Sequence, residues 1–181
     1  PITVSRNYNL PSWVDENSLV ICSSYSGNTE ETLSSFDDAI NKNSKIISIS
    51  TGGFLKDLTN KNDLDFIKIP TGLQPRAALA FSFVPLIYLL IKIGIIGQEI
   101  LEKLKNSLPE LHKARDLYSQ DNEDNPTYKL AHHIFKTIPV IYTQDNTTSI
   151  VARRWKGQLN ENSKMLAFSN VLPEMNHNEI V

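Results

Sequence analysis

The chain has a single cysteine, Cys22, in 181 residues, so no disulfide framework can form within it. Set in the apolar run Leu19-Val20-Ile21-Cys22, that thiol reads as a small buried residue in a reducing compartment, and a cytoplasmic location is expected. An excess of either charge is also missing. Lys and Arg number 18 against 20 Asp and Glu, for a net charge of -2 and a pI near 6.1. This excludes the electrostatic footprint of a nucleic-acid or anionic-lipid binder, so any anion specificity must be local. No basic and apolar signal segment opens the chain, which begins on Pro1 without a methionine, as expected of a fragment or a processed product. Internal repeats and low-complexity stretches are lacking too. The length suits one domain with a proper core.

One long apolar stretch stands out, Ala77 to Gly97 (AALAFSFVPLIYLLIKIGIIG), close to the length and apolarity of a membrane span. Lys92 interrupts it, and Ser82, Pro85 and Tyr88 dilute it. Its flanks have the pattern of a soluble α/β domain, so the expectation is a core or dimer-interface helix and no membrane.

The most informative segment is Ser24-Tyr25-Ser26-Gly27-Asn28-Thr29-Glu30-Glu31-Thr32, directly after the apolar strand. The strand delivers three hydroxyls and Gly27 to the mouth of a helix, whose first turn exposes unpaired N–H groups and the positive end of a dipole. Hydroxyls and backbone donors without a lysine suit a small phosphomonoester, whereas a nucleotide P-loop needs a lysine and a longer glycine-rich run. Plain N-capping by Ser26 or Thr29 is the competing reading, although three hydroxyls exceed what one cap requires.

The rest of the chain alternates strands and helices. Strands are expected at Ile2 to Val4, Ser18 to Ser23, Ile46 to Ser50, Leu64 to Ile69, Val140 to Tyr142 and Met165 to Phe168. Helices are expected at Glu30 to Asn41, as a short turn at Phe54 to Thr59, from Pro75 through the apolar stretch, in two pieces separated near Pro109, from Pro126, and at Ile150 to Ser163. Ser119 to Asn125 reads as a solvated loop. The pattern predicts an α/β fold, a mostly parallel sheet with helices on both faces. Ligands bind at the carboxyl ends of strands in such sheets. The Ser24 to Thr29 loop, Gly52-Gly53 and Pro173-Glu174 are therefore expected to converge on one crevice.

Few residues qualify for catalysis. Arg76, after Pro75 at the start of the apolar helix, is either an oxyanion stabiliser or a solvated helix-start arginine. Glu174 and Glu179 flank His177 in a polar cluster, and either carboxylate could serve as a general base. Glu174, His177 and Glu179 also have ligand-like spacing, but no cysteine or second histidine stands at ligand distance in sequence from His177, so no metal is expected. His132 and His133 read as helix residues, and Arg153-Arg154-Trp155-Lys156 as a solvated helix face with Trp155 as anchor.

These residues carry a family resemblance. Leu19 through Leu33, Pro75-Arg76-Ala77-Ala78-Leu79, Arg154-Trp155-Lys156 through Asn160-Glu161-Asn162, and Pro173-Glu174-Met175-Asn176-His177-Asn178-Glu179-Ile180-Val181 fall in the order found in the sugar isomerase (SIS) superfamily. Within it, the chain resembles the archaeal and bacterial bifunctional phosphoglucose/phosphomannose isomerases. The resemblance implies a flavodoxin-like three-layer sandwich, with residues 1–118 as most of a first SIS half and 119–181 as the start of a second. It implies interconversion of glucose 6-phosphate or mannose 6-phosphate with fructose 6-phosphate through a cis-enediol. Ser24, Ser26 and Thr29 would hold the sugar phosphate with Tyr25 contributing backbone, Arg76 would stabilise the enediolate, and Glu174 would shuttle the proton, with Glu179 the alternative.

Aldose–ketose exchange needs a carboxylate and electrophilic help, and no redox cofactor. Family members carry a sugar-contacting loop ahead of the first strand seen here, and beyond Val181 a ring-opening histidine given across a homodimer interface. The expectation is thus a central piece of an isomerase, inactive by itself, with a shared site. Two other classes compete with it. One is a non-catalytic phosphosugar-binding SIS module, which has no use for Arg76 or Glu174. The other is an FMN-binding flavodoxin-like carrier, whose phosphate loop would open the domain.

Overall fold

The computed structural model of the chain describes residues 2–144 and 147–179. Pro1 and the Ile180-Val181 end of the last motif lie outside the described residues. The chain divides into two compact units, residues 1–100 and 101–181. The join falls at the start of a long helix whose far end is the 118/119 position read from the sequence.

The first unit is built on a parallel sheet of β1 (Leu19–Ser23), β2 (Lys45–Ser50) and β3 (Asp65–Lys68), in that order. Val20 pairs with Ile46 and Cys22 with Ser48, and Ser48 with Phe66. Two helices, α1 (Glu30–Asn41) and α2 (Gly53–Lys61), make the crossovers. Phe36 and Ala39 of α1 and Leu55 of α2 pack on Cys22 and Ile46, with Leu33, Ile40, Val20 and Leu58 around them. The period-3.6 face of α1 and the alternation of the strands thus meet in one core. Burying Phe36 and Leu55 completely contributes roughly 1.5 to 3 kcal/mol each.

The helices stop by a shared device. Asn43, Asp63 and Gly94 take left-handed φ values of 54°, 53° and 75°. The following amides then turn back to helix carbonyls: Ser44 to Ala39 at 3.0 Å, Leu64 to Thr59 at 3.0 Å and Ile95 to Leu90 at 2.9 Å. Gly94 therefore ends α3 (Leu79–Lys92), which a single 3-10 turn, Pro75–Ala77, precedes. This corrects the long apolar helix expected from Pro75 to Gly97. Among the described residues no helix is long and apolar enough to cross a membrane. Nor is α3 sealed on all sides, since Leu79, Phe83 and Tyr88 are exposed while Ile87 and Leu89 are buried. A cavity of about 710 Å³ lies beside it, lined by Ile21 and Ile49 of the sheet, Leu86 and Leu90 of α3, and the segment from Ile2 to Asn7.

The second unit pairs β4 (Val140–Gln144) with β5 (Phe168–Leu172), again in parallel. Its helices are α4 (Glu99–Tyr118), α5 (Pro126–Ile134), α6 (Thr147–Asn162) and the short α7 (Met175–Asn178). Buried Asn125 joins α4 to α5. Its Oδ1 accepts the Thr127 amide at 2.8 Å, and its Nδ2 donates to the carbonyls of Tyr118 and Gln120.

Other expectations are corrected. Ile2 to Val4 forms no strand; it stays exposed, with no ladder partner among the described residues. Pro109 does not split its helix, and α4 runs through it at the loss of one backbone hydrogen bond. The last strand starts at Phe168, where it was expected to end, because Lys164 turns left-handed and the Met165 amide returns to the Leu159 carbonyl to close α6. Residues that read as strand are thus spent on a helix end.

Candidate functional site

The loop after β1 folds into the cradle geometry. Thr29 holds the N-cap position with extended backbone (φ −69°, ψ 118°), yet its side chain makes no cap bond to α1. Instead Thr29 Oγ1 shares a 2.8 Å hydrogen bond with Ser24 Oγ, which also accepts the Gly27 amide at 3.0 Å. Ser24 is 6% exposed, whereas Ser26 and Thr29 lie open to solvent. The side chain that would ordinarily close the helix is thereby turned toward the loop, and the first-turn amides receive no side-chain cap. Those amides and the dipole's positive end suit an anion.

Gly27 is required by two constraints. Its φ is +73°, and a Cβ there would sit 1.8 Å from the Gly52 carbonyl oxygen. The loops after β1 and β2 touch at this point. The Leu55 amide donates to the Gly27 carbonyl at 2.9 Å and the Phe54 amide to Asn28 Oδ1 at 2.9 Å, so Asn28 caps α2 from across the crevice. Ser50 Oγ donates to the Gly52 carbonyl at 2.9 Å, securing the second loop. Of the three loops expected to converge, the structure thus joins those at Ser24 to Thr29 and at Gly52-Gly53; Pro173-Glu174 belongs to the other compact unit.

Tyr25 connects the third strand end of the same sheet. Its carbonyl accepts the Thr51 amide at 3.1 Å after β2, and its hydroxyl accepts the Leu73 amide at 3.1 Å in the segment after β3. That segment leads into the 3-10 turn carrying half-buried Arg76. The sequence reading used Tyr25 only for its backbone, because nothing local signals a bond reaching 48 residues ahead.

In the second unit Glu174 follows β5 directly, after the cis Leu172–Pro173 peptide, and stands exposed at the start of α7. Its Oε1 accepts from Asn178 Nδ2 at 3.1 Å. Glu179 is more heavily engaged. Tyr142 Oη donates to its Oε2 at 3.1 Å and Asn170 Nδ2 to its Oε1. Tyr142 and Asn170 are direct partners across the β4–β5 ladder, so one carboxylate clamps two strands. The hydrogen bond to Glu179 raises the Tyr142 phenol above its ordinary pKa, because it favours the protonated ring. This clamp was not legible from sequence. Among the described residues no group of three or more His, Cys, Asp or Glu is gathered to hold a metal ion. Burial pushes the Cys22 thiol up to about 12, which leaves it protonated and unreactive.

Known proteins resemble the chain in sequence and in fold. Residues 123–181 match the family model for the bacterial phospho-glucose isomerase C-terminal SIS domain. Over its full length the chain is 48% identical to the bifunctional phosphoglucose/phosphomannose isomerase of Caldicellulosiruptor bescii, of which it covers 54%. It is 40% identical to that of Aquifex aeolicus, covering 52%. The chain therefore spans about half the length of the curated relatives it matches. A putative phosphosugar isomerase from Salmonella typhimurium shares the fold with a TM-score of 0.68 at 18% identity, over 94% of this chain and 51% of that one. Motif sequence and whole-length identity lead to one placement: residues 123–181 match the SIS-domain model of bacterial phospho-glucose isomerases, and the chain as a whole is similar to about half of the bifunctional phosphoglucose/phosphomannose isomerases.

Proposed function

We propose that this chain is part of an aldose–ketose isomerase that interconverts glucose 6-phosphate or mannose 6-phosphate with fructose 6-phosphate. The observation that carries the reading is the turned-in Thr29 side chain, bonded to Ser24 in place of an α1 amide. A helix start whose natural cap is withdrawn, lined by Ser26 and backbone amides and lacking lysine, fits the small dianion of a sugar phosphate. The relatives are named for phosphoglucose and phosphomannose isomerisation, and a more distant one, 32% identical, is a D-glucosamine-6-phosphate 4-epimerase. A phosphorylated sugar is common ground among their names.

In the proposed reaction Glu174 takes the proton from C2 of the open-chain aldose and returns it to C1, with a cis-enediol between. Its exposure and its single side-chain partner suit a group that must reach a substrate carbon. Glu179, with both oxygens occupied by Tyr142 and Asn170, is better suited to holding the loop. Arg76 offsets the charge that develops on the substrate oxygen, a role suited to a guanidinium held on a short turn. The working protein is proposed to be a cytoplasmic homodimer with a shared site, and residues 1–118 and 119–181 to belong to two SIS halves. A purely sugar-sensing module would keep the cradle but would have no use for Arg76 and Glu174.

The test is the full-length protein in D2O with fructose 6-phosphate. Deuterium at C2 of the glucose 6-phosphate or mannose 6-phosphate formed is the expected result. Turnover without incorporation would point to hydride transfer, and no turnover with either sugar would reject the reading.

A further inference from the structure

Tyr25 sits at an unusual crossing. Its own backbone lies two residues beyond the end of β1, its carbonyl bonds Thr51 beyond β2, and its hydroxyl bonds Leu73 beyond β3. Because β2 lies between β1 and β3, this one side chain spans a strand to reach the third. At its far end the segment from Thr71 to Gln74 has exposed side chains. Two backbone bonds close the turn itself: the Ala77 amide to the Gln74 carbonyl at 2.9 Å and the Ala78 amide to the Pro75 carbonyl at 3.2 Å. Arg76 lies three residues beyond the tethered amide.

We propose that the Tyr25 hydroxyl is a positioning residue, which by accepting the Leu73 amide fixes the Arg76 turn relative to the hydroxyl cradle. The assignment rests on the isomerase reading above for what Arg76 does, while the tether itself stands on the geometry alone. A residue that forms the cradle with its backbone thus also sets the guanidinium with its side chain. Phosphate capture and oxyanion stabilisation are coupled through one ring. A lone loop arginine would lose much of its effect to misplacement, since small errors in the position of a catalytic group lower rates steeply.

The test uses the full-length protein and the variants Tyr25→Phe, Arg76→Gln and the double variant. Phenylalanine keeps the ring and removes only the acceptor. The expected result is a fall in kcat of roughly twofold to tenfold, the range of one neutral hydrogen bond, with KM and inorganic phosphate binding nearly unchanged. In the Arg76→Gln background the same change should cost almost nothing further, because Tyr25 acts through Arg76. Hydrogen exchange across residues 70–78 should quicken in Tyr25→Phe, a readout that needs no turnover and also shows that the variant is folded. An unchanged kcat, a loss that is fully additive with Arg76→Gln, or unchanged exchange at 70–78 would overturn the proposal. A wild type inert toward both sugars, with faster exchange in Tyr25→Phe, would reject the isomerase reading and the coupling to catalysis, leaving a bare tether.

Discussion

The hydroxyls of Ser24 and Thr29 lie 2.8 Å apart, and this bond leaves the start of α1 without its side-chain cap. Had Thr29 bonded an α1 amide, the loop would be an ordinary helix cap. Ser24 and Ser26 consequently have different duties that mutation can separate. Ser24 is buried and its hydroxyl bonds both Thr29 and the Gly27 amide, so Ser24→Ala removes two hydrogen bonds, although the Gly27 amide keeps the Ser24 carbonyl at 3.2 Å, and should destabilise the protein by about 1 to 3 kcal/mol. Ser26 is exposed, so Ser26→Ala should leave stability within about 0.5 kcal/mol. Its affinity for fructose 6-phosphate should fall roughly tenfold to a hundredfold, the worth of a hydrogen bond to a charged acceptor. Denaturant melts and titration of the intact protein separate the two; equal affinities for wild type and Ser26→Ala would remove Ser26 from the cradle.

Gly27→Ala should be far more severe than its size suggests. The new Cβ meets the Gly52 carbonyl oxygen at 1.8 Å in a backbone conformation that side chains rarely adopt. Strain and displacement of the neighbouring loop together predict a loss of about 3 kcal/mol or more. Because the two loops move together, phosphate binding should vanish with it. A Gly27→Ala protein melting within a few degrees of wild type would show that the loops are not in contact in solution.

The two glutamates after β5 predict opposite signatures. Glu174→Gln removes a proton acceptor from an exposed side chain with one partner, so turnover should fall by about 10² to 10⁴ with substrate binding little changed. Glu179→Gln can keep both partners, accepting from Asn170 and donating to the Tyr142 hydroxyl, but loses the charge that strengthens both bonds, so it should reduce stability modestly and leave turnover within about tenfold. Steady-state kinetics of both variants in the full-length protein decide. The reverse pattern would transfer the base to Glu179.

Cys22 supplies a pH prediction. Burial raises its pKa from 9.0 to about 12. The unfolded chain therefore releases this proton at lower pH than the folded one does. Stability from this group is whole below about pH 9 and is lost progressively as pH rises toward 12. At pH 8 the folded protein should alkylate with iodoacetamide about a thousandfold more slowly than in denaturant, the three-unit difference in thiolate fraction. Rapid alkylation without unfolding would place Cys22 outside the core.

Much of this was legible because it is local. The 3.6 period of Leu33, Phe36 and Ile40 defined α1 to the residue, and the apolar runs located β1 and β2 closely. Where the reading went astray, a distant or terminal contact overrode local pattern. Met165 looked like strand but closes α6 on Leu159, and α2 gained a residue at its start where Asn28 caps it from another loop. The strand–loop–helix setting of the proposed cradle residues was legible by type and spacing, since a hydroxyl-rich turn between strand and helix has few uses. Tyr25 with Leu73 and Tyr142 with Glu179 were not, since each bond joins residues more than 30 apart and leaves no trace in a window.

The apolar side of α3 carries the last prediction. Leu79 and Phe83, one turn apart on one face of this strongly apolar helix, are exposed, Tyr88 is exposed on another face, and Ile93 and Ile95 continue the exposure beyond its end. A soluble protein seldom leaves such a patch to water, since each large side chain covered is worth roughly 1.5 to 3 kcal/mol. Either the remainder of the full-length chain covers it, or a second copy does. If a second copy does, full-length protein should elute as a dimer without detergent, and Phe83→Glu should yield a folded monomer, because the substitution adds a charge that only the interface must bury. Light scattering and a thermal melt on the variant distinguish the cases. A Phe83→Glu chain that stays dimeric would place the interface elsewhere, and a monomeric variant that has also lost much of its thermal stability would show that the patch is covered by its own chain.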